Sequence, residues 1–495
     1  MMAQDPLVVH AIINGEQVPT KRRYARENPA NPEEIVGYGP LNTQEEAIRA
    51  IEAANEAFPT WAATGLDERI ERMRRAIAQL KEKTPELAQL LSREHGKALY
   101  DAEGEFGISI MWMEYACDTV KDVLQDQDQV QEHDNGKTII TSDAIGVVSA
   151  ITPWSYPFSL STIKVAPALL AGNTVVLKPS PFAPLAVTKT MEIISKEFPP
   201  GVLNMVHGEA EVGVELTSHP KVAKIAFTGG TNTAKHIMKA AADTIKHMTL
   251  ELGGNDAAII LPDFDVNDER DLRRLVISNF LTAGQICMLA KRVYVHRSIF
   301  DQFIDNYVVA ANQWIRVGDP FNPKVTVGPV NNKRQMEYVQ SLIDDAKKRG
   351  AKVIELGTVL DEELFEKGYF MRPTLVLGAG YDDPIVVEEQ FGPTVPILPY
   401  DDEEQAIQLA NHSIYGLTSS VWGDPEHAIR VARRIEAGTT MINTAAVQGL
   451  DVRFPFGGVK QSGIGREYGA EGLRSYVETH VINVPKHLDL PYIPE

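Results

Sequence analysis

Cysteine is nearly absent from this 495-residue chain, which has two, Cys117 and Cys287. Two thiols far apart in sequence make neither a disulfide framework nor a paired-cysteine zinc site, so free thiols are expected. The 12 histidines are scattered and none stands in a metal-ligating HExxH pattern, so no metal is expected. Positive charge is also short: 48 Lys and Arg face 67 Asp and Glu, for a net charge of −19. That balance argues against nucleic acid and anionic membrane as partners, because both demand a surplus of basic residues. Long apolar runs are missing too, none approaching the roughly 18 residues that span a bilayer. The opening stretch "MMAQDPLVVHAIINGEQV" has no basic lead, which makes the cytoplasm the expected location. No repeat and no low-complexity segment is visible. A small diffusible ligand fits these exclusions best.

What remains is ordinary for a globular chain: 44% apolar and 23% charged residues, with 36 Gly and 30 Pro. At about 150 residues per domain the length suggests roughly three units. The N-terminal region reads as helical. "NTQEEAIRAIEAANEAF" opens with a capping box, Thr43 and Glu46, and repeats Ala47, Ile51, Ala54 and Phe58 at helical spacing. A second pattern carries Ile70, Met73, Ile77 and Leu80, and a third is expected to start at Thr84, with Pro85 at its first position. From Ile145 the text changes to short apolar runs, "IGVVSAI", "TVVL", "VLNMV", "KIAF" and "AAII", spaced to leave room for helices. That alternation predicts a parallel sheet covered on both faces. After Cys287 a second series follows, "VYVH", "AKVIEL", "PTLVL", "VPILPY" and "MINT", interleaved with helices near 298–315, 332–349 and 402–411. Between the two regions, Asn135-Gly136 flanked by extended polar segments predicts a projecting hairpin. The expected architecture is α/β, two units plus an arm.

Four stretches carry candidate chemistry. In "KIAFTGGTNTAKHI" a strand runs into Thr228-Gly229-Gly230-Thr231 and then a helix, which suits a phosphate or is simply a tight turn. "VVLKPSPFAPL" ends a strand on Lys178, placed to meet a ribose or phosphate, or merely solvated. "MTLELGGNDAAII" sets Glu251 among apolar neighbours, as a desolvated general base or as half of an ion pair. Cys287 in "LTAGQICMLAKR" lies in a loop of small residues beside Gly284, where a nucleophile needs nearby N–H donors or positive charge. Lys291 and Arg292 are too far along the chain to be counted on. Cys117 in "MEYACDTVKDV" reads as an ordinary buried helix residue.

Taken together, "FTGG", "KPS", "LELGG", "GQIC", "EEQFGP" and "PFGGVKQSG" stand in the order and spacing of the aldehyde dehydrogenase superfamily, which the chain resembles from about Ile12 to Val484. The resemblance implies a Rossmann-like cofactor domain (1–120 and 144–251), a catalytic α/β domain (252–460), and an oligomerisation arm with a final strand (121–143 and 461–495). It puts Cys287 in the nucleophile's place and Glu251 in that of the base that activates water. Lys178 and Ser180 fall at the adenine ribose, Gly229, Gly230 and Thr231 at the pyrophosphate turn. Trp154, Glu389 and Phe391 fall near the nicotinamide and its ribose. The implied reaction oxidises an aldehyde to its acid with NAD or NADP, and the retained Glu251 favours hydrolysis over transfer to coenzyme A. A homodimer or homotetramer is implied, with the Asn135 hairpin and "YVETHVINV" reaching a neighbour.

Three positions depart from the family's pattern. Ser155 in "TPWSYPF" stands where the family has an Asn that helps hold the oxyanion, which leaves a weakly active or purely binding protein as the alternative reading. Pro181 in "KPSP" replaces a Glu that repels a 2′-phosphate, so dual use of NAD and NADP is expected. Gly230 and Ala234 stand where Ser and Gly are usual. By position, Tyr156, Leu160, Ile163, Leu281, Ile286, Met288, Leu450 and Phe456 line or approach the substrate tunnel, favouring an apolar aliphatic or aromatic aldehyde. Nearby Arg453 leaves a carboxylate-bearing semialdehyde open.

Overall fold

The structure, a computed structural model, describes residues 5–124 and 129–486. The first residues of the opening stretch, 125–128 of the expected arm and the end of segment 461–495 therefore lie outside the described residues.

The helix Gln44–Ala62 begins where its capping box places it: the Glu46 amide donates to Thr43 Oγ1 (3.3 Å), and the Thr43 amide donates to Glu46 Oε2 (2.8 Å). Thr84 and Pro85 do not start a new helix. Leu66–His95 is one helix with Pro85 inside it, ended by Gly96 at φ +94°. A proline inside a helix costs about 3 kcal/mol. Leu80, Leu87 and Leu91 are all buried on this helix, and each contributes about 1.5–3 kcal/mol by burial, which outweighs that cost. The Thr84 hydroxyl donates to the Leu80 carbonyl within the helix (2.8 Å) instead of capping. The third N-terminal helix is Leu99–Leu124, and Cys117 is buried on it.

The apolar runs form two sheets. In the eight-stranded sheet, His247–Glu251, Val222–Thr228, Val147–Ile151, Thr174–Lys178 and Leu203–Met205 run parallel in that order, with antiparallel edges. Strands buried on both faces read as continuous apolar text, which is why they were visible in sequence. Register brings Lys178 beside Ile151 and Thr228 beside Glu251, all at carboxyl ends. In such sheets ligands gather at this edge. The strand Asp256–Ile260 ("AAII") belongs to the second sheet, seven-stranded and mostly parallel, with Ala290–His296, Thr394–Tyr400 and Thr418–Trp422 around it. The helices expected at 298–315, 332–349 and 402–411 are Phe300–Trp314, Lys333–Lys348 and Glu403–Asn411.

The hairpin pairs Gln129–His133 with Gly136–Ala144, and its turn is Asp134–Asn135. Gly136 instead opens the second strand at φ +143°, where a Cβ would meet the Val484 carbonyl at 2.2 Å. Val477–Pro485 adds the third strand, leaving Val130, Val481, Ile482 and Val484 exposed. Gly463–Ile464, inside the segment expected to belong to the arm, pairs antiparallel with His247–Glu251 in the large sheet.

Candidate active site

A cavity of about 280 Å³ opens beside the carboxyl edge of the large sheet. Tyr156, Leu160 and Ile163 line it from the start of helix Pro157–Leu170. Leu281, Ile286 and Met288 come from the nucleophile loop, and Leu450 and Phe456 from the segment after Thr439–Ile442. All eight residues expected at the tunnel thus share one wall with Cys287, Glu251 and Ser155. Six polar residues that the sequence reading did not place at the tunnel join them: Tyr100, Asp101, Ser159, Thr228, Glu467 and Tyr468. Among the described residues no Lys, Arg or His lines the cavity. Arg453 is turned to the surface, paired to Asp451 (Nη2 to Oδ2, 2.6 Å) and 5.9 Å from the Phe454 ring.

Glu251 ends its strand and is buried, with neither carboxylate oxygen hydrogen-bonded. Burial pushes its pKa well above the ordinary value, and the neighbouring Glu467 pushes it further, against Lys164 and Arg466. Among the described residues Glu251 makes no ion pair, and it is desolvated. Cys287 is half-buried and its thiol is also pushed up, by desolvation first and then by Glu389, Glu251 and Asp256. Lys291 and Arg292 are spent on backbone carbonyls: Lys291 Nζ donates to Gly392 and Thr394 (2.8 Å each), and Arg292 to Asn255, Leu409 and Ala410. Ser155 lines the cavity and its hydroxyl makes no hydrogen bond among the described residues, while its carbonyl accepts from Lys97 Nζ (3.1 Å).

The cofactor candidates gather near the same edge. Lys178 is buried and makes no hydrogen bond among the described residues, and burial lowers its pKa to about 8. An unpartnered ammonium at a strand end suits hydroxyl or phosphate oxygens. Ser180 is buried beside half-exposed Pro181 in the next turn. The helix Thr231–Ala242 begins at Gly230 with no side-chain cap, and a Cβ on Gly230 would touch nothing, so its first amides are open to an anion. The Gly229 amide is not open, because it donates to the Glu251 carbonyl (3.0 Å). Glu389 Oε1 accepts from the Gly254 amide (2.9 Å), and burial raises its pKa to about 7. Phe391, at φ +49°, packs edge-on against Trp154 with ring centroids 5.3 Å apart. These donors and apolar rings fit a nicotinamide dinucleotide.

No helix of the described residues is long and apolar enough to cross a membrane, and no group of their His, Cys, Asp and Glu side chains could hold a metal ion.

Comparison with known proteins agrees with this geometry. The model of the aldehyde dehydrogenase family matches residues 17–482. The human 4-trimethylaminobutyraldehyde dehydrogenase is 35% identical, over 89% of each chain. The NADP(+) succinate-semialdehyde dehydrogenase of Escherichia coli (strain K12) is 35% identical over 94% of this chain and 96% of its own. A crystal structure of betaine aldehyde dehydrogenase from Staphylococcus aureus with NAD+ superposes with a TM-score of 0.91 at 32% identity, covering 98% of this chain and 96% of that one. The two α/β units are those of this fold, and the similarity supports an enzyme that uses NAD or NADP, not a purely binding protein. The chain belongs to the aldehyde dehydrogenase family, whose members oxidise aldehydes to acids with a nicotinamide dinucleotide.

Proposed function

We propose that this enzyme oxidises uncharged apolar or aromatic aldehydes, with Cys287 as nucleophile and Glu251 as the base that activates water. The observation that carries the reading is the cavity itself: Cys287 and Glu251 share a mostly apolar wall that has no cationic side chain among the described residues. A carboxylate-bearing semialdehyde entering it would lose its hydration and meet Asp101 and Glu251 with no cationic side chain on the described lining to pair with, the nearby Lys164 being already paired to Glu467, an arrangement that is strongly unfavourable. Arg453, already paired at the surface, offers no remedy.

The chemistry follows in two halves. The Cys287 thiol gives its proton to solvent, its sulfur bonds to the carbonyl carbon, and the C=O π pair moves onto the oxygen, which becomes an oxyanion. The Ser155 hydroxyl and the Cys287 amide are the donors for that charge. When bound, the oxidised nicotinamide supplies the acceptor for the hydride that leaves the same carbon. The thioester left on Cys287 is opened by water, whose proton goes to Glu251, and the acid departs as the C–S bond breaks. Burial first, and then Glu389, Glu251 and Asp256, disfavour the Cys287 thiolate, so the approach of positive charge or N–H donors favours attack. Lys178, Ser180, the amides after Gly230, Glu389, Phe391 and Trp154 hold the dinucleotide. Pro181 brings no carboxylate of its own against a 2′-phosphate in the ribose turn, which supports use of both NAD and NADP.

The three-stranded sheet with exposed Val130, Val481, Ile482 and Val484 is the surface through which copies associate, and light scattering would report a dimer or tetramer. The substrate reading is tested by following NADH and NADPH formation from hexanal, benzaldehyde and succinate semialdehyde, with Cys287→Ala as control. Faster turnover of the semialdehyde than of both uncharged aldehydes would overturn it.

A further inference from the structure

The turn ahead of Cys287 is built against backbone preference. Thr282, Ala283 and Gly284 are successive left-handed residues, at φ +53°, +55° and +73°, a region disfavoured for side chains with a Cβ and most of all for β-branched ones. Gly284 is forced, since a Cβ there would lie 2.0 Å from the Gly392 carbonyl. The Thr282 carbonyl accepts from both the amide and the side chain of Gln285 (3.2 and 2.9 Å). The Thr282 hydroxyl donates to Asp101 Oδ2.

Asp101 also reaches the opposite side of the site. Its Oδ1 accepts from the Tyr156 hydroxyl at 2.5 Å, and Tyr156 follows Ser155 directly. That second turn is itself held down. Lys97 Nζ lies 3.6 Å over the Tyr156 ring, donates to the Ser155 carbonyl and pairs with Glu105 (2.7 Å) in full burial. Glu105 Oε1 in turn accepts the Phe158 and Ser159 amides (2.8 and 3.1 Å). One carboxylate therefore joins a rigid oxyanion turn to a strained nucleophile turn.

We infer that Asp101 is a positioning residue, clasping Thr282 and Tyr156 so that the Cys287 sulfur and the short Ser155 hydroxyl face the same carbonyl. The inference rests on the roles proposed above for Cys287 and Ser155. Serine reaches less far than the family's asparagine, so a small drift of the nucleophile turn removes the only side-chain donor that this reading assigns to the oxyanion. Misplacement of about 1 Å costs up to about a hundredfold in rate.

The test compares Thr282→Val, which keeps shape and loses the hydroxyl, with Thr282→Ser, which keeps it, each rate normalised to titrated active sites. Thr282→Val is expected to lower kcat at least about tenfold with KM for aldehyde and cofactor within about twofold, and Thr282→Ser to stay within about twofold of the parent. Combining Thr282→Val with Tyr156→Phe should cost less than the sum of the single changes, as for members of one network. A parent-like kcat in Thr282→Val, or a Thr282→Ser as slow as Thr282→Val, would overturn the clasp. Cys287→Ala reads the underlying assignment separately: residual turnover there refutes the nucleophile, whereas its loss beside a parent-like Thr282→Val refutes the clasp alone.

Discussion

Glu467 and Lys164 form a buried ion pair, with Oε1 and Nζ 2.5 Å apart, in contact with the cavity that holds Glu251. Lys164 also donates to the Thr228 hydroxyl (2.7 Å). A base that takes a proton from water must release it before the next turnover, and Glu467 is the buried acid that bears on Glu251. Because the charge of Glu467 raises the Glu251 pKa, Glu467→Gln should lower it. Glu251 acts when deprotonated, so the acid limb of the kcat–pH profile should move to lower pH. Leaving Lys164 without its carboxylate should also destabilise the fold by about 3–5 kcal/mol, read by denaturant unfolding. A shift of the limb to higher pH would contradict this electrostatic account.

On the proposed mechanism the Ser155 hydroxyl is a donor to the oxyanion of the first half-reaction. Ser155→Ala should lower kcat by about 10²–10³-fold, the usual cost of losing an oxyanion donor. Ser155→Asn should raise it if the serine's reach limits the step. Steady-state kinetics with both variants measure the two directions on one substrate.

Pro181→Glu should convert a permissive cofactor site into one that favours NAD. A carboxylate facing a 2′-phosphate brings like charges together, which should raise the KM for NADP by at least about tenfold and leave that for NAD within about twofold. Equal effects on both cofactors would place Pro181 away from the ribose.

The strands were legible because strands buried on both faces are written as unbroken apolar runs, and the capping box at Thr43 is a local signal with a local cause. Thr84-Pro85 misled because tertiary burial of Leu80, Leu87 and Leu91 carries the helix through a proline that local preference would use as a start. Cys287, Glu251 and the eight residues expected at the tunnel, which the motif order singled out, line one cavity. Asp101, Lys97 and Glu105 were not singled out, since Asp101 and Glu105 come from the helix Leu99–Leu124 and Lys97 from the link before it, and all three meet the site only through packing. All three are charged residues that the fold buries. Glu467, in "GREYGAEG", gives no hint in sequence, because its burial depends on a strand pairing, Gly463 with Glu251, made across the chain.

The most direct test of the account is a single-turnover experiment on Glu251→Gln with an uncharged aldehyde and NAD. If Cys287 carries the acyl group and Glu251 activates the water that removes it, about one equivalent of NADH should form per active site and then stall. Mass spectrometry should then find the acyl group on the peptide containing Cys287. Sustained turnover at the parent rate, or a burst with Cys287 unmodified, would contradict it.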